Sequence, residues 1–256
     1  MKIEVKVMEG YFLTDCGKVR DTNEDAGGVF HNQANQLLAV VADGMGGHQA
    51  GEVASQLAVS TIKVGWEQTT EFTTINDAEK WIAKIIEETN GKVYEQARQD
   101  NKLQGMGTTV VLSLCTKEFV VIGHVGDSRC YLWNDETRLS LITSDHSLVN
   151  ELVKTGQISE LDAEEHPRKN VLIKAIGTDV KIKPDIKTVE WKGNDCILLC
   201  SDGLSNKITD EEFAEALESM QQLNETSHEL VKLANERGGE DNITLTIVRN
   251  KEGEAT

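Results

Sequence analysis

Little in this chain points to a membrane, a nucleic acid or an oxidising compartment. Its 256 residues include only two prolines, so no proline-rich linker divides it. No apolar run approaches the roughly 20 residues that a membrane-spanning helix needs. The opening segment, MKIEVKVMEG, lacks the apolar stretch of a secretory leader. Five cysteines (Cys16, Cys115, Cys130, Cys196, Cys200) form no Cys-x-x-Cys pair, and an odd number suits reduced thiols, so a cytoplasmic protein is expected. Cations are scarce: 26 Lys and Arg stand against 43 Asp and Glu, a formal net charge of −17. A field of that sign repels nucleic acid and anionic lipid and tolerates divalent cations. Signatures of other hydrolases are missing as well. There is no Gly-x-Ser-x-Gly elbow, no His-Glu-x-x-His pair and no glycine-rich loop ending in Lys-Ser or Lys-Thr.

What remains is ordinary globular content, 39% hydrophobic and 27% charged, with length enough to bury a full core. The organising stretch is LLAVVADGMGGHQAG, residues 37–51. Its five leading apolar residues predict a short buried strand ending on Asp43-Gly44. A glycine-rich loop follows, then a helix with Ala54, Leu57, Ala58 and Ile62 on one stripe. A carboxylate is thus held at a rigid strand end, beside backbone bare enough to approach an ion.

Further strands are expected at 10–15, 26–30, 108–115, 118–125, 171–175, 186–191, 196–200 and 243–248, with a hairpin at 130–134 and 138–142. A long helix is expected from Asn76, where Asn76 and Glu79 have capping-box spacing, and its buried stripe runs from Ala78 to Ala97. Shorter helices are expected at 148–154, from Thr209 with Glu212 three residues on, and at 227–237; 159–165 reads as an acidic turn. Strands come in neighbouring groups separated by helix pairs. That grouping predicts an α+β fold in which two mainly antiparallel sheets pack together with helix pairs outside, a four-layer αββα arrangement. One domain over 1–256 is expected, with 144–170 as an inserted flap.

Asp43, Asp127 and Asp202 each end an apolar strand, and Asp241 immediately precedes one. Any one of them could serve an ordinary turn or cap. Gathered on one sheet edge, four carboxylates would repel each other unless hard divalent cations such as Mg²⁺ or Mn²⁺ lay between them. The cysteines fall mostly in strand interiors, where thiols are inert. The expected nucleophile is therefore a water held by two metals, which suits phosphoester cleavage.

In order along the chain stand Arg20-x-x-Asn-Glu24-Asp25, Asp43-Gly44-Met45-Gly46-Gly47-His48, Gly107-Thr108-Thr109, Val125-Gly126-Asp127-Ser128-Arg129, Ser201-Asp202-Gly203-Leu204 and Asp241-Asn242-Ile243-Thr244. Together they closely resemble the metal-dependent protein phosphatases (PPM, or type 2C), over nearly the whole chain from Phe12 to Val248. The Met-Gly-Gly-His variant and Ser-Asp-His-Ser-Leu-Val from Ser144 are similar to the bacterial branch, particularly phosphatases of Gram-positive cocci that partner a membrane Ser/Thr kinase.

The resemblance implies a monomeric enzyme that removes phosphate from phosphoserine and phosphothreonine in proteins, with two Mn²⁺ or Mg²⁺ ions and a third, weaker one. By position, Asp43 would bridge both metals, the Gly44 carbonyl would bind one, and Asp202 and Asp241 would complete the other site. Glu24 would hold a metal or its water, with Asp25 behind it, and Asp127 with Asp202 would hold the third ion. Arg20 would grip the substrate phosphate; the alternative is a surface ion pair with Asp21 or Glu24. Animal members carry a histidine directly after Asp-Gly as proton donor. Here Met45 stands there and cannot serve, leaving His48, which could equally be a cap or packing residue, or a metal-bound water. The resemblance also puts a mobile flap at 144–170, where Arg168 and Lys169 are the only adjacent cations and would face a phosphopeptide. Two other readings are a metal-dependent nuclease or small-phosphoester hydrolase, disfavoured by the acidic charge, and a non-catalytic scaffold, disfavoured because all four aspartates are present.

Overall fold

Residues 37–41 are continuously apolar because the strand they form is buried on both faces. In the computed structural model, which describes residues 5–46 and 50–253, this strand is β3 (Leu37–Met45). Leu38, Val40 and Ala42 pack against α1 (Ala50–Glu67) and α2 (Ile75–Gln99). Leu37, Ala39 and Val41 point the other way, into a second apolar layer that includes Ile197, Leu199 and Val248. Side-chain alternation along a strand makes this division.

The elements, in chain order, are β1 (Val5–Asp15), β2 (Asp25–His31), β3, α1, α2, β4 (Gly107–Thr108), β5 (Val110–Cys115), β6 (Phe119–Val125), β7 (Arg129–Asn134), β8 (Arg138–Leu141), α3 (Leu148–Lys154), α4 (Glu160–Glu164), β9 (Asp185–Glu190), β10 (Cys196–Cys200), α5 (Asp202–Ser205), α6 (Asp210–Glu218), α7 (Leu223–Glu236) and β11 (Ile243–Gly253). One sheet runs β1-β11-β10-β7-β8 and the other β2-β3-β5-β6-β9, with β4 added to the end of β3. Neighbouring strands in both are antiparallel. The outer face of the first sheet is covered by α6 and α7, where Tyr131, Leu198, Phe213, Leu230 and Leu245 form one cluster. Helices, sheet, sheet and helices make the four layers that the grouping of elements predicts.

Several local expectations are corrected. The cap of α2 is Thr74, whose Oγ1 accepts from the Asp77 N–H at 3.2 Å, not Asn76 with Glu79. Two Ser/Thr/Asn-x-x-acid patterns overlap there, and the earlier one wins; Glu79 instead accepts from Thr188 Oγ1 at 2.7 Å and ties α2 to β9. Residues 171–175 form no strand: Leu172 makes a single bridge to Ser147 and lines a cleft, while Val171 and Ile173 are exposed. The acidic segment 159–165 contains α4, capped by Ser159 and Asp162. α7 starts at Leu223, four residues before the expected start, because Leu223 is itself buried. β1 and β11 pair over their whole length, Val5 with Gly253 through Asp15 with Ile243, so both exceed their apolar segments. The charged residues that hid this pair with each other, Glu9 meeting Lys251 at 2.8 Å and Arg249 at 3.4 Å.

Candidate active site

β3 runs through Asp43 and Gly44 to Met45, one residue past the expected end, since β4 pairs with Gly44 and Met45. The backbone of Asp43 is fixed on both sides. Its N–H donates to Thr109 Oγ1 at 2.9 Å, and its carbonyl accepts from the Thr109 N–H and from Thr108 Oγ1, each at 2.8 Å. Gly44 has no room for a side chain: a Cβ would strike the backbones of Gly51 and Glu24, so the start of α1 lies directly against the backbone next to Asp43. The register of β2 on β3 sets Asp25 opposite Asp43. Asp25 is buried and accepts from Ser201 Oγ at 2.7 Å, a hydroxyl that itself accepts from the Thr244 N–H at 3.0 Å.

Asp202 opens α5, with Ser201 between it and β10, and Asp241 lies two residues before the start of β11. Asn242 clamps this corner. Its Oδ1 accepts from the Glu24 N–H at 2.7 Å, and its Nδ2 donates to the carbonyls of Cys16 and Thr22, both at 2.9 Å. Asp127 follows β6 across Gly126, whose φ of 107° few other residues could adopt. Gly126 is fixed in turn: its N–H donates to His146 Nδ1 at 3.1 Å and its carbonyl accepts from the His146 N–H at 2.9 Å.

Glu24, Asp43, Asp127, Asp202 and Asp241 therefore line one cleft of about 380 Å³, with Arg20 as the cation among its lining residues. Burial first, and then the neighbouring carboxylates, push Asp43 well above the usual carboxylate range. Burial likewise raises Asp127 to about 7, with Asp202 and Asp145 adding to the shift. Asp25 is also raised to about 7, by burial that outweighs its hydrogen bonds from Thr244 and Ser201. Asp202 and Glu24 move the same way, burial again leading. Arg20 is the one cation among the lining residues against five carboxylates, so most of this charge is left uncompensated. The donor set is all oxygen, with the Gly44 carbonyl beside it, which is what Mg²⁺ and Mn²⁺ prefer. The residues fit such ions.

Arg20 pairs with neither Asp21 nor Glu24. Its Nη2 donates to Asp241 Oδ2 at 2.9 Å and its Nε to the Glu240 carbonyl at 3.4 Å. The Nη1 edge has no protein hydrogen bond among the described residues. Met45 lines the cleft. His48 lies outside the described residues. Arg168 is exposed and absent from the cleft lining; Lys169 lines a neighbouring recess instead. The cleft residues that sequence reasoning missed are Asn170, the last residue of the segment 144–170, and Leu172, two residues beyond it. The polar run of 144–170 marked the segment, but nothing marked these two positions.

A separate group lies at the base of the same segment. His124, His146 and Asp185 present atoms within 4.8 Å of one another, and the two rings stack at 4.7 Å. Their hydrogen bonds favour an anchor over a metal site. His124 Nε2 faces the Ser144 carbonyl at 3.1 Å, so it carries the proton. His146 Nδ1 accepts from Gly126, so its Nε2 carries the proton toward Asp185 at 3.3 Å, while Lys174 already meets Asp185 at 2.9 Å. Burial holds His146 at about 4 and His124 below its ordinary value, so both rings are neutral at neutral pH.

Residues 15–236 match the family model described as Protein phosphatase 2C. The chain belongs to the protein phosphatase 2C family. It is 46% identical over 241 residues to the serine/threonine phosphatase stp of Listeria welshimeri, a match covering 94% of this chain and 95% of that one. It is similar to the crystal structure of the serine/threonine phosphatase Stp1 from Staphylococcus aureus, with a TM-score of 0.90 and 40% identity over 99% and 98% of the two chains. The catalytic domain of the serine/threonine protein phosphatase PstP, in complex with two manganese ions, matches at a TM-score of 0.83 and 32% identity over 97% and 100%. The fold of the family is thus the αββα sandwich that the grouping of strands and helices predicts.

Proposed function

We propose that this chain is a protein serine/threonine phosphatase that removes phosphate from phosphoserine and phosphothreonine with the help of Mn²⁺ or Mg²⁺. The observation that carries this is the convergence of five carboxylates and Arg20 on one cleft. Membership of a family whose relatives are named serine/threonine phosphatases supports the substrate class. Asp43, Asp202, Asp241, Glu24 and the Gly44 carbonyl would hold two ions, with Asp25 behind them, and Asp127 with Asp202 a third. When bound, such ions make a nucleophile of water at neutral pH and neutralise charge developing on phosphoryl oxygens.

The protein's own share is binding and orientation. Arg20 offers the planar guanidinium that matches two phosphate oxygens, and its bond to Asp241 holds it at the cleft wall. Thr108 and Thr109 fix Asp43 through its backbone, so the strand end that carries the carboxylate is held in place before substrate arrives. Among the described residues no histidine lines the cleft, and Met45 cannot transfer a proton.

We take residues 1–256 as a single catalytic domain with a flap over 144–170, working as a monomer on phosphorylated proteins. Among the described residues no helix is long and apolar enough to cross a membrane. Free thiols at all five cysteines support a cytoplasmic enzyme, and the resemblance supports a membrane Ser/Thr kinase as the activity it reverses. Phosphate release from a phosphothreonine peptide tests the reading: hydrolysis with Mn²⁺ and none in EDTA is expected. Full hydrolysis in EDTA, or none with any divalent metal, would overturn it.

A further inference from the structure

Beside the catalytic cleft lies a larger recess of about 890 Å³, which shares Asp127, Asn170 and Asp202 with it. The flap forms one wall, through Val149 and Val153 of α3, Ala163 of α4, and Glu160 and Glu165. Asn206, just past α5, and Asp210, the first residue of α6, stand on the other side, and Leu141 of β8 adds an apolar surface that is 42% exposed. The recess is therefore mainly polar, with an apolar patch of Leu141, Val149, Val153 and Ala163, and it adjoins the catalytic cleft.

Its charge is one-sided. Arg129 is already committed, its Nε lying 3.1 and 3.2 Å from the two carboxylate oxygens of Asp145 and its Nη2 2.8 Å from Oδ2. Glu160, Glu165 and Asp210 have no salt bridge among the described residues, and Lys169 is the single ammonium lining the recess that could offset them. Setting aside Asp127 and Asp202, which belong to the metal-binding set, an excess of negative charge is left around an apolar surface.

We infer that this recess receives the substrate polypeptide next to its phosphorylated residue and selects chains that carry Lys or Arg there. The inference rests on the phosphatase reading and adds which phosphoproteins are preferred. A phosphate held by Arg20 places the neighbouring residues of an extended chain at the mouth of the recess, where Asn170 lines both spaces. Lys and Arg suit it on two counts: their methylene stems cover apolar surface such as Leu141 and Val153, and their charged ends reach the carboxylates. An acidic segment would meet like charge, a disadvantage that salt would screen. This is a substrate choice opposite to what Arg168 and Lys169 alone would favour.

The test compares three phosphothreonine peptides of one length with the Mn²⁺-loaded chain. Their flanking residues are Lys and Arg, Ala, or Glu, and para-nitrophenyl phosphate is assayed beside them. The basic peptide is expected to exceed the acidic one in kcat/KM by about tenfold at low ionic strength, and the ratio should shrink in high salt. E160Q/E165Q/D210N is expected to bring the ratio toward one, mainly by raising KM for the basic peptide. Should that variant fail to fold, the peptide ratio and its salt dependence in the unaltered chain carry the test. Equal kcat/KM for all three peptides, or a preference untouched by salt, would overturn this inference alone. Failure to hydrolyse any peptide or the small ester would overturn the phosphatase reading, and this inference with it.

Discussion

Arg20 is the residue whose role geometry narrows most. Its Nη2 is spent on Asp241, and its remaining edge is what a phosphate would meet. A lysine keeps the charge but offers no planar pair of donors, and it cannot hold Asp241 and a phosphate in that geometry together. Arg20→Lys is therefore expected to raise KM for a phosphothreonine peptide by about tenfold, with a smaller fall in kcat. Steady-state kinetics at saturating Mn²⁺ check this, and an unchanged KM would remove Arg20 from phosphate binding. The sequence could present Arg20 as a candidate, because Arg-x-x-Asn-Glu-Asp is a local pattern. It could not name the partner. Asp241 lies 221 residues away, and the long-range pairing of β1 with β11 brings the two segments together. Asn242 was legible as part of a motif, but its clamp on Cys16, Thr22 and Glu24 depends on the same long-range pairing.

Among elements, the strands that carry the aspartates were legible because burial on both faces leaves continuous apolar runs, as in Leu37 to Ala42 and Cys196 to Cys200. β1 and β11 were legible only in part, since their charged halves satisfy each other across the sheet instead of following an apolar pattern. The flap segment was legible as a unit and misread inside. Residues 171–175 have β-like composition, yet their neighbours are the cleft and Ser147, not a second strand. The ends of this segment are pinned: His146 bonds Gly126, and Leu148 N–H donates to the Val171 carbonyl at 2.8 Å. Arg168 and Lys169 lie on the exposed stretch between those pins. Replacing both with alanine is expected to lower kcat/KM for a phosphopeptide with acidic flanks by about threefold while para-nitrophenyl phosphate hydrolysis stays near its original value, because exposed charges contribute little individually. An equal loss on both substrates would instead place them in the chemistry or the fold.

On the scale of the whole molecule, the carboxylate cleft makes stability depend on pH and metal together. Asp25 and Asp127 move from 3.8 in model compounds to about 7 in the folded chain, burial being the leading cause for each. A raised folded pKa means that the native state keeps protons the unfolded chain has released. Stability from these groups is full below about pH 4 and is lost as pH rises through about 7. His146, held down at about 4 chiefly by burial, works in the opposite sense, but only below its ordinary value of 6.5. Glu212, lowered to about 2 chiefly by its hydrogen bond from Arg237, also works in the opposite sense, below 4.5. Between about pH 6.5 and 8.5 the raised carboxylates, Asp43 moving the same way as Asp25 and Asp127, outweigh these two, and the metal-free chain is expected to lose stability on the order of 1–2 kcal/mol, a few degrees of Tm. Saturating Mn²⁺ at the upper pH should restore it, since an ion that binds only the folded state stabilises it by mass action. Thermal unfolding in EDTA and in Mn²⁺ at both pH values checks this, and a metal-free Tm that rises with pH would contradict it.

One cleft, built from β3, α5 and the approach to β11, is expected to hold the divalent ions on which the chemistry depends. The most direct measurement titrates Mn²⁺ into the metal-free chain while counting free ion by electron paramagnetic resonance, with phosphate release from a phosphothreonine peptide followed in the same samples. At least two ions per chain should bind, hydrolysis should rise with their occupancy, and Asp43→Asn should lose both binding and turnover by orders of magnitude while remaining folded. Hydrolysis at zero occupancy, or an Asp43→Asn chain that binds and turns over like the original, would contradict the account.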